Sequence, residues 1–232
     1  MNPDLLPIRL ICATKLPKDQ FLSHSATAKS TFALKKACDA EVSFFPSNTL
    51  GLSQVYNKAI KEAAKKPAIL VFIHDDVFIA DLFWTHRIRN GLKQFDIVGL
   101  AGNTTRIAKQ ASWIYLDAGK KMANSKHFSG CVGHGNQFPP KVVSNYGPVG
   151  LECKLLDGLL LAVNSETLQR TGLRFDERFK FHLYDTDFCR SAEALKLKMG
   201  TISLSAVHQS GGNFSSDEFK RQYKDYLLKW VD

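Results

Sequence analysis

Short apolar runs of strand length alternate along the chain with segments whose apolar positions recur every three to four residues. This is the pattern of an α/β fold built on a largely parallel sheet. The run at 8–13, broken only by Arg9, predicts a first strand, followed by a polar loop, a helix near 26–37 and a second strand at 41–45. Leu52, Val55, Tyr56, Ala59, Ile60 and Ala63 recur at helical spacing, which predicts an amphipathic helix running to Lys65–Lys66 and ended by Pro67. Residues 68–73 are continuously apolar, as a central strand buried on both faces requires. A helix over 81–93 and a strand at 97–100 follow.

From 102 to 151 the pattern turns irregular and rich in Gly, Asn and Pro, which predicts loops over a site with short elements inside. An apolar pattern resumes over 155–163, interrupted by Asp157–Gly158. Phe188, Ala192, Leu195 and Met199 share one face of a predicted helix with Gly200 as its cap, and 201–207 returns to the sheet. Neither repeat nor linker is visible, so the expectation is one domain over 1–232, with halves at 1–101 and 102–232.

Composition excludes more than it assigns. Among 232 residues, 44% are hydrophobic and 23% charged, ordinary for a globular protein, and no apolar run approaches the ~18–20 residues of a membrane span. The short run at 8–13 is too brief for a secretory signal, so a cytoplasmic location is expected. Five scattered cysteines without a CxxC pair fit reduced thiols, and the series His127, Cys131, His134, Cys153 matches no zinc-ligand spacing. The net charge of +9 comes without a nucleic-acid motif, so no nucleic-acid partner is expected; a polyanionic small substrate or an anionic membrane surface suits it. Phe219, Tyr223, Tyr226 and Trp230 fall on one face of a last helix, opposite Lys220, Arg221, Lys224 and Lys229. That pattern fits a peripheral contact with the inner face of a membrane, or an ordinary terminal helix packed on the core, the favoured reading.

Asp75 and Asp76 carry the sharpest chemical signal. Two adjacent carboxylates directly after a buried strand lie at the C-terminal edge of the sheet, where open α/β folds bind ligands. Such a pair is costly unless a cation or ligand hydroxyls satisfy it, and oxygen ligands suit magnesium or manganese. Asp185 and Asp187 precede a helix whose N-terminus favours their ionised forms, so either is a candidate general base, and one is a candidate cap. His208, at a strand edge before Gln209-Ser210-Gly211-Gly212, is a candidate to complete a metal shell with Asp76 or to touch a phosphate.

The order of these motifs resembles a GT-A (Rossmann-like) glycosyltransferase of the large inverting family 2 type. Asn48-Thr-Leu-Gly51-Leu-Ser-Gln-Val-Tyr-Asn57 followed by 68–76 resembles its first half, and Leu156-Asp157-Gly158 resembles the segment lining the donor and acceptor pocket. Phe175-Asp-Glu-Arg-Phe leading to Tyr184-Asp185-Thr-Asp187 resembles its base-bearing motif. The resemblance implies a nucleotide-sugar donor, usually a uridine one, bound by residues 1–101, and an acceptor bound by 102–232. It also implies a divalent cation, Mn²⁺ or Mg²⁺, held by Asp76 and His208. Ala13, Thr14, Asn48, Gly51, Asn57, His74, Asp75, Asp157 and Gly158 would form the donor site. Asp185 would be the base, and the acceptor would be a glycan, a lipid-linked glycan or a protein. Three positions depart from the family: His74 replaces the first acid of a strict DxD, Tyr184 replaces the Glu of the ED pair, and Tyr56 stands where an Arg is common.

Rival readings are a nucleotidyltransferase acting on sugar phosphates and a non-catalytic module that binds nucleotide sugars or glycans. The first would bring a Gly- and Lys-rich phosphate loop near the first strand, and Ala13-Thr-Lys-Leu-Pro is a poor version of one. An HD-type phosphohydrolase would place His74–Asp75 on a helix, whereas an apolar strand precedes them.

Overall fold

A computed structural model describes residues 6–36, 38–210, 214 and 216–231. In chain order the elements are β1 (Ile8–Ala13), α1 (Lys18–His24), α2 (Ala26–Leu34), β2 (Ala40–Phe45), α3 (Leu52–Ala63), β3 (Ile69–Ile73), β4 (Val77–Ile79), α4 (Trp84–Leu92), β5 (Ile97–Gly99) and β6 (Ala101–Asn103). They continue with β7 (Phe128–His134), β8 (Val142–Gly147), β9 (Glu152–Cys153), β10 (Leu155–Leu156), β11 (Leu160–Asn164), α5 (Ser165–Thr171), α6 (Tyr184–Ala194), β12 (Met199–Thr201), β13 (Ala206–His208) and α7 (Asp217–Lys229).

Seven strands form the main sheet in the order β2-β1-β3-β11-β5-β12-β9. β2, β1, β3, β5 and β12 run one way; β11 and β9 run against them, so the α/β sheet is mixed rather than wholly parallel. Every residue of β3 is buried, as its unbroken apolar run predicts for a central strand. β11, from the second half of the chain, lies between β3 and β5 of the first half, so the main sheet is built from both halves. Phe72, Tyr56, Phe175 and Tyr184 pack together under the end of β3, with ring centroids 4.7 Å apart for Tyr56–Phe72 and 5.1 Å for Phe72–Phe175. Edge-on and tilted rings at these separations add to plain area burial.

The stretch 102–151, read from sequence as loops, supplies most of a second sheet ordered β10-β6-β7-β13-β4, with β8 on β7. Its strands are short and carry glycines and polar residues (FSGCVGH in β7, VVSNYG in β8), which hides their alternation. Two further expectations are corrected. The helix over Phe188 ends at Ala194, where Leu195 and then Lys196, at φ 59, turn the chain without a glycine. Gly200 caps nothing: it lies inside β12, and a Cβ there would meet the Phe95 ring at 2.4 Å. The run 201–207 therefore divides between β12 and β13, which belong to different sheets.

The aromatic face of α7 packs inward. Phe219 and Tyr226 are buried, Tyr223 donates to the Lys109 carbonyl at 2.6 Å, and Trp230 donates to Asp187 at 2.8 Å. That face packs on the protein itself, as the favoured reading of this helix expects. Among the described residues no helix is long and apolar enough to cross a membrane.

Candidate functional site

β3 delivers His74, Asp75 and Asp76 to the C-terminal edge of the main sheet, and the N-terminus of α2 fixes their backbone. Ser25, the N-cap of α2, donates to the Asp75 carbonyl at 2.6 Å, while Thr27 donates to the carbonyls of His74 at 2.5 Å and Val77 at 2.7 Å. Thr14, just after β1, donates to Asp75 Oδ2 at 2.5 Å. A chain segment tied at four points loses little further entropy when a ligand binds.

The second sheet brings the distant partner. β4 pairs antiparallel with β13 in a register that sets His208 opposite Val77, and the Gln209 N–H donates to the Asp76 carbonyl at 3.0 Å. His208 Nε2 thus lies 3.4 Å from Asp76 Oδ1. His74, Asp76 and His208 each offer a ligand atom, and these atoms all lie within 4.8 Å of one another. Asp76 Oδ1 is buried and accepts no hydrogen bond among the described residues, which is costly for a carboxylate oxygen unless a cation meets it. Two imidazoles and one carboxylate, whose Oδ1 accepts no hydrogen bond among the described residues, fit a divalent metal ion.

Electrostatics follow from this packing. Burial works to raise the Asp76 carboxyl, but contact with His208 and its charge, then the charge of His74, outweigh burial and hold it at about 2. Burial lowers His208, and Asp76 more than offsets it, so His208 is raised overall. His74 is lowered, mainly by burial.

A cavity of about 480 Å³ opens on this group, and Asp157 and Asp185 also line it. Asp157 is held by the Trp113 indole N–H at 2.7 Å and by the Leu159 N–H at 3.0 Å. Asp185 stands in the first turn of α6, where it accepts the Gly158 N–H at 3.0 Å and the Thr186 N–H at 2.8 Å. The backbone N–H groups at this helix N-terminus do favour the ionised acid, but other influences oppose them. Burial first, and the charge of Asp157 second, push Asp185 up to about 6 despite the backbone N–H groups.

The sequence-predicted residues separate into three groups. Ala13, His74, Asp75, Asp76, Asp157, Asp185 and His208 line the cavity. Thr14 and Gly158 stand directly behind it; a Cβ on Gly158 would come within 2.3 Å of the Tyr184 hydroxyl. Asn48, Gly51, Asn57 and Asp187 line no part of it. Asn48 closes a turn with Leu50, Gly51 starts α3 against the Lys180 backbone, and Asn57 clamps Phe175 and Glu177. Asp187 is fully buried and points the other way, paired with Lys229 Nζ at 2.7 Å and the Trp230 indole at 2.8 Å. Burial raises its carboxyl although Lys229 opposes the shift.

Sequence reasoning missed the aromatic lining. Trp113, Tyr115, Tyr146, Phe181 and Phe214 also face the cavity, as does His134, which sits beside His208 in the β7–β13 register. Most of them stand in irregular segments, so their sequence neighbours show no pattern that would single them out.

No family model matches the sequence, and no curated protein matches it. Among solved structures the chain is similar to A197 from STIV, with 12% identity and a TM-score of 0.48 over 88% of this chain and 86% of that one. It is also similar to the catalytic domain of Drosophila beta1,4galactosyltransferase 7 in complex with xylobiose, with 10% identity and a TM-score of 0.46 over 85% of this chain and 65% of that one.

Proposed function

We propose that this chain is a metal-dependent inverting glycosyltransferase that moves a sugar from a nucleotide-sugar donor, a UDP-sugar in the first instance, to an acceptor hydroxyl on a glycan or glycoconjugate. The observation that carries the reading is one cavity lined by His74, Asp76 and His208, whose ligand atoms lie close enough to share a metal ion, and by the Asp185 carboxylate. His74, Asp76 and His208 would hold the divalent cation, with manganese the first ion to try from the resemblance. A cation held by these residues would supply positive charge against the charge that grows on the leaving diphosphate.

The residues of the chain do the rest. Asp185 takes the proton of the acceptor hydroxyl as that oxygen attacks the anomeric carbon, and the bond to the diphosphate breaks on the opposite face with its electron pair. A carboxyl at about 6 is ionised at neutral pH yet basic enough to accept a proton in the transition state. Asp75, anchored by Thr14 and lining the cavity, would meet hydroxyls of the donor. The aromatic wall of Trp113, Tyr115 and Tyr146 suits the flat apolar faces of a sugar acceptor.

The test is release of nucleoside diphosphate from a panel of nucleotide sugars, with and without manganese, alongside calorimetry of UDP binding. Manganese-dependent turnover, together with loss of manganese-dependent UDP binding in Asp76→Asn, is the expected result. Unchanged UDP affinity in that variant removes Asp76 from the site, and metal-independent cleavage at another bond ends the glycosyltransferase reading.

A further inference from the structure

Two of the three positions that depart from the family pattern touch each other: His74 Nε2 lies 2.7 Å from the Tyr184 hydroxyl, which also lies 2.8 Å from the Gly158 carbonyl. A carbonyl oxygen only accepts, so the single phenolic proton goes to Gly158. The hydroxyl then has only lone pairs to present to His74, and the contact holds only if Nε2 carries the N–H. A neutral imidazole with its proton on Nε2 has its lone pair on Nδ1. Among the described residues no hydrogen bond takes up Nδ1, while the ring lines the cavity beside Asp76 and His208.

We propose that Tyr184 is a positioning residue that locks His74 as the Nε2–H tautomer, so that Nδ1 is the atom His74 offers to a metal shared with Asp76 and His208. The inference rests on the metal-holding role proposed above and deepens it. A histidine ligand whose second nitrogen donates to a fixed acceptor is oriented and made more basic, and loss of that acceptor commonly weakens metal binding 10–100-fold. A strict DxD would offer an acid where His74 stands. Here two imidazoles and one carboxylate favour manganese, cobalt or zinc over magnesium. The same phenol adjoins Asp185 in α6 and bonds to Gly158, whose N–H serves Asp185, so one side chain sets both the ligand and the base.

The experiment uses the full chain and metal ions alone, without nucleotide. Manganese and zinc affinities are measured by calorimetry for the wild type, Tyr184→Phe and His74→Ala. Long-range ¹⁵N–¹H spectra of the histidines are recorded with and without Zn²⁺, the His74 signals being assigned by their loss in His74→Ala. The expected result is a protonated Nε2 and bare Nδ1 on His74 in the metal-free wild type, a zinc-induced shift at Nδ1, and metal affinity weakened about 10–100-fold in Tyr184→Phe. Tyr184→Phe binding within twofold of the wild type, or zinc on Nε2, overturns the inference while leaving the glycosyltransferase reading standing. A wild type that binds neither metal overturns the inference and the metal-dependent step together. Should Tyr184→Phe fail to fold, the wild-type spectra decide alone.

Discussion

Trp113 donates its indole N–H to Asp157 Oδ2 at 2.7 Å, so a residue from the least regular stretch of the sequence holds one of the cavity's carboxylates. Trp113 is itself buried edge-on against Tyr146 and Phe128, at centroid distances of 4.8 and 5.4 Å, which leaves the indole one orientation. Trp113→Phe keeps most of the ring packing but releases Asp157. A hydrogen bond to a charged group contributes about 1.5–3 kcal/mol. We expect transfer to fall about 10–100-fold with the far-ultraviolet circular dichroism unchanged. Transfer within twofold of the wild type means that the fixed position of Asp157 does not matter.

Asp185, raised to about 6, sets a pH dependence. A general base works when deprotonated, so kcat/KM should be level above about pH 7 and fall as pH drops through about 6. The charge of Asp157 contributes to that raised value, so Asp157→Asn should move the acid limb to lower pH in whatever activity survives. The profile is read with a donor whose own titration lies well outside this range. A limb that stays in place shows that another group titrates.

The two acids of α6 should respond oppositely to the same exchange. Asp185→Asn cannot take a proton, and transfer should drop roughly 10²–10⁴-fold with donor affinity nearly constant. Asp187→Asn should leave the chemistry in place and act on stability, because it faces Lys229 and Trp230 rather than the cavity. Lys229→Met is harsher: it leaves Asp187 buried without its cation, a loss of about 3–5 kcal/mol. The unfolded carboxyl keeps its ordinary value while the folded one rises, so the loss is largest at neutral pH and shrinks as pH falls and Asp187 protonates. Urea denaturation at pH 7.5 and pH 5 measures both quantities.

Gly158→Ala drives a methyl group to within 2.3 Å of the Tyr184 hydroxyl and 2.9 Å of Asp185 Cβ. Both neighbours are packed, so the strain costs about 1–3 kcal/mol. Metal affinity and transfer should fall together, since the displaced phenol serves His74 and the displaced acid is the base. A variant that loses only one of them separates the two roles.

The elements that the sequence reveals are those whose surroundings repeat. β3 is buried on both faces, so its apolar run is continuous, and α3 is buried on one face, so its apolar residues recur at helical spacing. β7 and β8 lie in a second sheet, where β7 pairs with β6, β8 and β13, and their glycines and polar residues follow local contacts rather than a period. The site divides the same way. Asp75, Asp76 and Asp185 stand at element ends, where an acid is conspicuous in sequence. The partnership of His74 with Tyr184 spans 110 positions, and only the folded chain brings it together. Asp187 misled for the same reason, since its partner Lys229 belongs to a helix that sequence alone could not place.

That grip of α7 on Asp187 also reaches the cavity from behind. Asp187 follows the proposed base by two residues on the same helical turn, and its charge is answered by Lys229 and the Trp230 indole. The turn that bears Asp185 is thus braced from the far side of α6, and a change at residues 229–230, outside the cavity, should still be felt at the base.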